Sequence, residues 1–218
     1  MPDFAVIFDM DGVMVDSNPY HKIALKSFCQ RYGQDLSETQ LRERIYGRSN
    51  KDWLRNVFGE LTDAEVARYA QEKESLFREI YAPHIQLVPG LADFVQALHQ
   101  AGVPMAIGTS APPENVAFMF EKTGLAPLFQ VIVDESQIAH GKPDPEIYLK
   151  ASAALGLDPG RCLVFEDSLA GVEAALRAKC LVVGLSTTHT PEELQGTLWV
   201  MPDFVGLRVD KVAGLFVG

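Results

Sequence analysis

Four short stretches put reactive side chains directly after apolar runs or a tight proline turn. Asp9-Met10-Asp11-Gly12 follows Ala5-Val6-Ile7-Phe8, and Thr109-Ser110 follows the run 104–108. Lys142 stands in Gly141-Lys142-Pro143-Asp144-Pro145, beyond the run 131–133, and Glu166-Asp167 follows the run 162–165. Carboxylates brought together repel one another, and burial disfavours their charged form. A hard divalent cation relieves both effects. Mg²⁺ takes oxygen ligands and suits one or two carboxylates plus the oxygens of a substrate phosphate. The lysine and the hydroxyls would then hold the remaining phosphate oxygens. Asp9 and Asp11 are two residues apart, so in extended chain they project to the same side. Gly12 lets the backbone turn sharply beside a ligand.

These residues converge only if the apolar runs lie side by side. The runs 5–8, 104–108, 131–133, 162–165, 181–185 and 198–200 are continuous rather than alternating, which suits strands covered on both faces. Helical patterns separate them, so the expectation is an α/β fold with a parallel sheet and helices on each side. Ligands of such sheets gather beyond the carboxyl ends of the strands. The pattern predicts helices over 112–123 and 145–155, opened by prolines and closed by Gly124 and Gly156. Leu169, Val172 and Leu176 give the segment after Asp167 a predicted inward face. Residues 18–85 contain no strand pattern. Leu25, Phe28, Cys29 and Tyr32 form a helical stripe ending at Gly33, and Ser37–Gln40 and Thr62–Glu65 fit the capping box. The predicted organisation is a core of residues 1–17 and 86–218 with a helical insertion of residues 18–85, a cap on a cleft.

The 218 residues carry 29 acidic and 19 basic side chains, a net charge of −10. That balance argues against a nucleic-acid surface, which needs a basic footprint. It leaves room for an anionic small molecule, since a metal and a few cations reverse the field inside a cleft. Three scattered cysteines, Cys29, Cys162 and Cys180, read as free buried thiols rather than a disulfide framework. With no secretory leader pattern and no long apolar run, the expectation is a soluble, cytoplasmic protein without membrane contact. Its composition is compatible with a monomer.

The four stretches, in this order, resemble the signature of the haloacid dehalogenase superfamily. The resemblance runs through nearly the whole chain. It implies a Rossmann-like core with an α-helical cap and Mg²⁺ as cofactor. In that pattern Asp9 is the nucleophile that becomes an aspartyl phosphate. Asp11 is the general acid and then the general base. Thr109 and Lys142 neutralise the transferring phosphoryl group. The resemblance implies that Mg²⁺ sits on Asp9, the backbone carbonyl of Asp11, and Asp167, with Glu166 either a further ligand or one step removed. An acid at position 11 separates this chain from the dehalogenases, whose halide leaving group needs no proton.

Within the superfamily the chain is most similar to the β-phosphoglucomutase and sugar-phosphatase branch. Asp16-Ser17-Asn18-Pro19-Tyr20-His21 resembles its stretch at the start of the cap, with His21 toward the substrate. Gly47-Arg48-Ser49-Asn50 resembles the mutase cap loop, but Asn50 stands where the mutases place an arginine on the second phosphate. Lys73 falls where they carry another cap cation. Losing a bidentate clamp lowers the mutase reading. A phosphatase of a small phosphorylated metabolite, sugar- or polyol-phosphate-like, therefore ranks first, and a β-phosphoglucomutase second. Ser110, His21, Arg48, Asn50 and Lys73 are the candidate substrate contacts.

Each residue also has an ordinary use. Asp167-Ser168 could cap the following helix. Thr109 suits any strand, Ser110 any loop, and Lys142 alone would be a solvated lysine. The four remaining histidines have no metal-ligand spacing. A phosphate sensor on the same fold, or a receiver-like domain, would also place aspartates at strand ends. The paired Asp9 and Asp11 and the helical insertion weigh against both.

Overall fold

The computed structural model describes residues 2–45 and 50–216. The chain forms two compact units, Met1–Asp16 with Ile85–Gly218, and Ser17–His84.

The first unit is built on β1 (Ala5–Phe8), β2 (Met105–Gly108), β3 (Val131–Val133), β4 (Cys162–Glu166), β5 (Leu181–Leu185) and β6 (Val200–Met201). Among the described residues these make one sheet in the order β3-β2-β1-β4-β5-β6, with every pair parallel. The last strand begins two residues later than the pattern 198–200 predicts. β1 is central, and the winding reverses between β1 and β4, the place where such sheets bind ligands.

Among the described residues the helices are, in chain order, α1 (Asn18–Arg31), α2 (Glu38–Arg44), α3 (Asn50–Phe58), α4 (Asp63–Tyr81), α5 (Leu91–Gln100), α6 (Pro113–Thr123), α7 (Glu146–Ala154), α8 (Leu169–Arg177) and α9 (Val209–Ala213). Strand alternation sorts the two faces of the sheet. Ala5, Ile7, Cys162 and Val164 share one core cluster with Ile147, Tyr148 and Ala151 of α7 (Glu146–Ala154) and with Val172, Ala174 and Ala175 of α8 (Leu169–Arg177). On the opposite face Phe8 stacks on Phe165 at 5.3 Å between ring centroids. Phe8 also meets the edges of Phe94 and Phe129. Phe94 belongs to a helix between β1 and β2, Leu91–Gln100. Both faces are thus sealed, which is why the strands read as unbroken apolar runs.

The inward face of α8 differs from the expected Leu169–Val172–Leu176 stripe. Val172 is 4 % exposed, but Leu169 and Leu176 are 45 % and 41 % exposed. The buried positions are Gly171, Val172, Ala174 and Ala175. Small residues face the sheet because the helix lies close to it. The two leucines turn outward and line an apolar groove of about 400 Å³ with Val172, Glu173, Arg177, Glu193 and Gln195.

The second unit is helical: Asn18–Arg31, Glu38–Arg44, Asn50–Phe58 and Asp63–Tyr81. Leu25, Phe28, Cys29, Trp53, Leu54 and Val57 are in its core. Both capping boxes form, with Ser37 and Thr62 each accepting the N3 amide while the Gln40 and Glu65 side chains reach back. Each satisfies two otherwise unpaired helix-end donors. No described helix is long and apolar enough to cross a membrane.

Candidate active site

Asp9 is the first residue beyond β1. Its backbone amide donates to the Phe165 carbonyl at 3.0 Å, continuing the ladder to β4. By parity Asp9 lies on the same sheet face as Ile7, and Glu166 on the same face as Val164. Two neighbouring strands therefore present carboxylates to the face covered by α7. The chain then turns: Gly12 takes φ +81° and its amide donates to the Val15 carbonyl at 2.8 Å. Only glycine adopts that conformation without cost. Asp11 sits half-buried within this turn.

Lys142 joins the two strand ends. Its ammonium donates to Asp9 Oδ1 and to Glu166 Oε2, each at 2.7 Å, and the side chain is almost wholly buried. Burial disfavours the ammonium, yet the Asp9 and Glu166 carboxylates hold its pKa well above the usual value. Glu166 is fully buried. Its Oε2 also accepts from the Tyr148 hydroxyl at 2.5 Å. Its Oε1 accepts from the Asp167 amide, the Ser168 amide and the Ser168 hydroxyl. These bonds fill the acceptor capacity of a carboxylate. Burial opposes ionisation, but Lys142 and the hydrogen bonds hold its pKa below the usual range.

Asp9 and Asp167 are less well compensated. Burial is the main force pushing Asp9 up to about 7, with Glu166 adding repulsion against the pull of Lys142. Burial likewise pushes Asp167 well above the usual range, and the Glu166 and Asp9 carboxylates reinforce it. One oxygen from each of Asp9, Glu166 and Asp167 lies within 4.8 Å of the others. One lysine does not balance three buried carboxylates, and an all-oxygen donor set of this kind fits a hard divalent cation. A second group, His140, Asp144 and Glu146, has similar spacing. There the Glu146 carboxylate already accepts from the Ala139 and His140 amides and pairs with Lys150.

Thr109 ends β2. It is buried, and its hydroxyl accepts from the Ala111 amide at 3.1 Å. Ser110 beside it is exposed. In the helical unit, His21 stacks on Phe77 at 3.6 Å, with its Nδ1 3.3 Å from Lys73 Nζ. Lys73 pairs with Glu74 at 2.7 Å. Asn50 donates to Glu74 and accepts from the Trp53 indole. His21, Asn50 and Lys73 thus belong to one polar chain, while Arg48 lies outside the described residues.

Tyr148 and the pair Thr187-Thr188 reach this site without having been expected there. Gly108 leaves room for the Tyr148 ring: a Cβ at that position would come within 3.2 Å of it. Thr187 donates to the Gly12 carbonyl at 2.5 Å, and Thr188 donates to Asp167 Oδ2. The signal available for the threonines is a run of hydroxyls, 186–188, beginning one residue beyond a strand. For Tyr148 it is a phenol in an otherwise apolar helix face, since buried phenols need a partner.

At the switch point of a parallel sheet, a lysine-bound aspartate thus stands beside further buried acids, an arrangement suited to a cation and an anionic ligand. The chain belongs to the haloacid dehalogenase-like hydrolases, whose family model matches residues 5–179. Among its relatives is validoxylamine A 7'-phosphate phosphatase of Streptomyces hygroscopicus subsp. limoneus, 32% identical over 93% of this chain and 94% of the relative. Hexitol phosphatase A of Escherichia coli K12 is 31% identical over 94% and 93%. The β-phosphoglucomutase of Bacillus subtilis 168 is 29% identical over 83% and 82%. A crystal structure of a family IA, variant 3 hydrolase from Entamoeba histolytica superposes with a TM-score of 0.89 at 31% identity, covering 97% of this chain and 98% of that one. The activity is that of a phosphatase, with phosphomutase as the related alternative.

Proposed function

We propose that the chain is a Mg²⁺-dependent phosphatase of a small sugar- or polyol-phosphate-like metabolite, acting in the cytoplasm through an aspartyl-phosphate intermediate. The observation that carries this reading is the Asp9 carboxylate, held at one oxygen by Lys142 and close to Asp167. Fixing one oxygen leaves the other in a defined direction for in-line attack on phosphorus. A new Asp9 O–P bond forms as the ester P–O bond breaks. Asp11 gives its proton to the departing alkoxide, then takes one from water as the acyl phosphate is hydrolysed. Lys142 and Thr109 hold the equatorial phosphoryl oxygens, and Ser110 joins them from the rim. Mg²⁺, held by Asp9, Asp167 and the Asp11 carbonyl, would supply positive charge to the nucleophile and the phosphoryl group. Glu166, with both oxygens occupied, is read as the support that places Lys142 rather than as a ligand. The helical unit is read as the cap that selects the leaving group through His21, Asn50, Lys73 and Arg48.

The mutase reading has the Bacillus relative in its favour. Against it, Asn50 replaces the arginine clamp, and the Lys73 charge is matched by Glu74 at 2.7 Å. A bisphosphate intermediate needs a firm grip on its second phosphate. Phosphorus NMR on a panel of sugar and polyol phosphates with Mg²⁺ decides between them. It should show inorganic phosphate from the wild-type chain and none from Asp9→Asn. Conversion of β-glucose 1-phosphate, primed with glucose 1,6-bisphosphate, to glucose 6-phosphate would make the chain a mutase. Turnover by Asp9→Asn would overturn the mechanism.

A further inference from the structure

We propose that Thr188 is a positioning residue for the divalent cation, setting the Asp167 carboxylate from the segment that follows β5, with Thr187 fixing that segment to the Asp9–Gly12 turn. The inference rests on the proposed metal site.

Consecutive residues make the two bonds. The Thr187 hydroxyl donates to the Gly12 carbonyl, and the Thr188 hydroxyl donates to Asp167 Oδ2. Gly12 belongs to the turn after β1, and Asp167 follows β4. The pair thus ties together the ends of two strands that are neighbours in the sheet. The segment is itself anchored. The Ser186 amide donates to the Met201 carbonyl at 3.0 Å, and the Thr190 amide donates to Glu193 at 2.9 Å. Leu194 is 1 % exposed and packs in the core cluster. Gly184 of β5 accommodates it, since a Cβ there would come within 3.2 Å of Leu194 Cδ1. The hydroxyls are therefore held at the sheet edge by packing.

An aspartate has two side-chain torsions, and a donor on one oxygen restricts both. A metal-ligating carboxylate held by a neighbouring donor binds more tightly, and loss of such a donor typically lowers metal affinity about 10- to 100-fold. Thr188 is exposed, which places its effect at the lower end of that range.

Titration calorimetry with Mn²⁺ on the substrate-free full chain tests this. Thr188→Val is expected to raise the Mn²⁺ Kd about tenfold. Thr188→Ser, which keeps the hydroxyl, should restore the Kd to within about twofold of wild type, and Thr190→Val on the same segment should leave it unchanged. The Mg²⁺ concentration for half-maximal activity should shift in parallel, with kcat at saturating Mg²⁺ retained. A wild-type Kd in Thr188→Val, or a serine variant as weak as the valine one, overturns the assignment while leaving the phosphatase reading intact. No cation binding by the wild-type chain overturns the metal reading and this inference together.

Discussion

Gly171→Ala sets two effects of known sign against each other. Gly171 is in the first turn of α8, and its φ lies outside the left-handed region. On helix preference alone, alanine there stabilises by about 0.5–1 kcal/mol. A Cβ at this position, however, would lie 2.0 Å from Glu166 Cδ, 2.0 Å from Oε2 and 2.5 Å from Oε1. Glu166 cannot step aside freely, because Lys142, Tyr148, Ser168 and the Asp167 amide all hold it. Overpacking costs about 1–3 kcal/mol, and separating a buried ion pair about 3–5 kcal/mol. The steric effect wins, with a net loss of about 3–7 kcal/mol. In a chain of this size each kcal/mol moves Tm by about 2–4 °C, so a fall of about 6 °C or more is expected. Calorimetry of both proteins in EDTA reads it directly. A Tm equal to or above wild type would refute the placement of Glu166 and the role given to it.

Two further outcomes follow from the titration behaviour. Burial raises the Asp9 carboxyl from 3.8 to about 7, so its protonated form contributes stability below about pH 4 that is lost as pH rises through 7. In EDTA, Asp9→Asn should therefore gain in Tm on wild type as pH rises from 4 to 8, and a difference that stays flat would contradict this. Cys29, Cys162 and Cys180 are buried, and burial pushes their thiols up to about 11, 11 and 12. A disulfide reagent at pH 8 should label none of them quickly in the native protein and all three after denaturation; one fast native thiol would sink that reading.

The strands were legible because each is buried on both faces, and burial on both faces writes an unbroken apolar run. The capping boxes were legible because they are contacts over three residues. The face of α8 was legible only at Val172: two leucines at helical spacing suggest a core stripe, but close approach to Glu166 and the sheet brings Gly171, Ala174 and Ala175 inward in their place. Asp9 and Asp167 stood out because charge at the end of an apolar run has few ordinary uses, and Lys142 through its setting between Gly141 and Pro143. Tyr148 and Thr188 have many, and their partners lie 18 and 21 residues away. Only the fold brings those pairs together. Likewise the sequence left the role of Glu166 open, since nothing local reveals how many donors surround it.

The strand order also sets a timetable for assembly. β1 leads into Asp9 and is synthesised before either of its neighbours, yet among the described residues its strand partners begin at 105 and at 162. Contacts so distant in sequence form late, because a long stretch of chain must close before they reward it. The helical unit Ser17–His84, which in sequence separates β1 from β2, has its own core and two self-contained helix caps. On that argument the strand that leads to Asp9 is expected among the last elements to find its place. The Asp9 carboxylate is expected to leave water only once the lysine at 142, its ion-pair partner, has been made. Local order comes first, and the charged centre closes only when most of the chain is present.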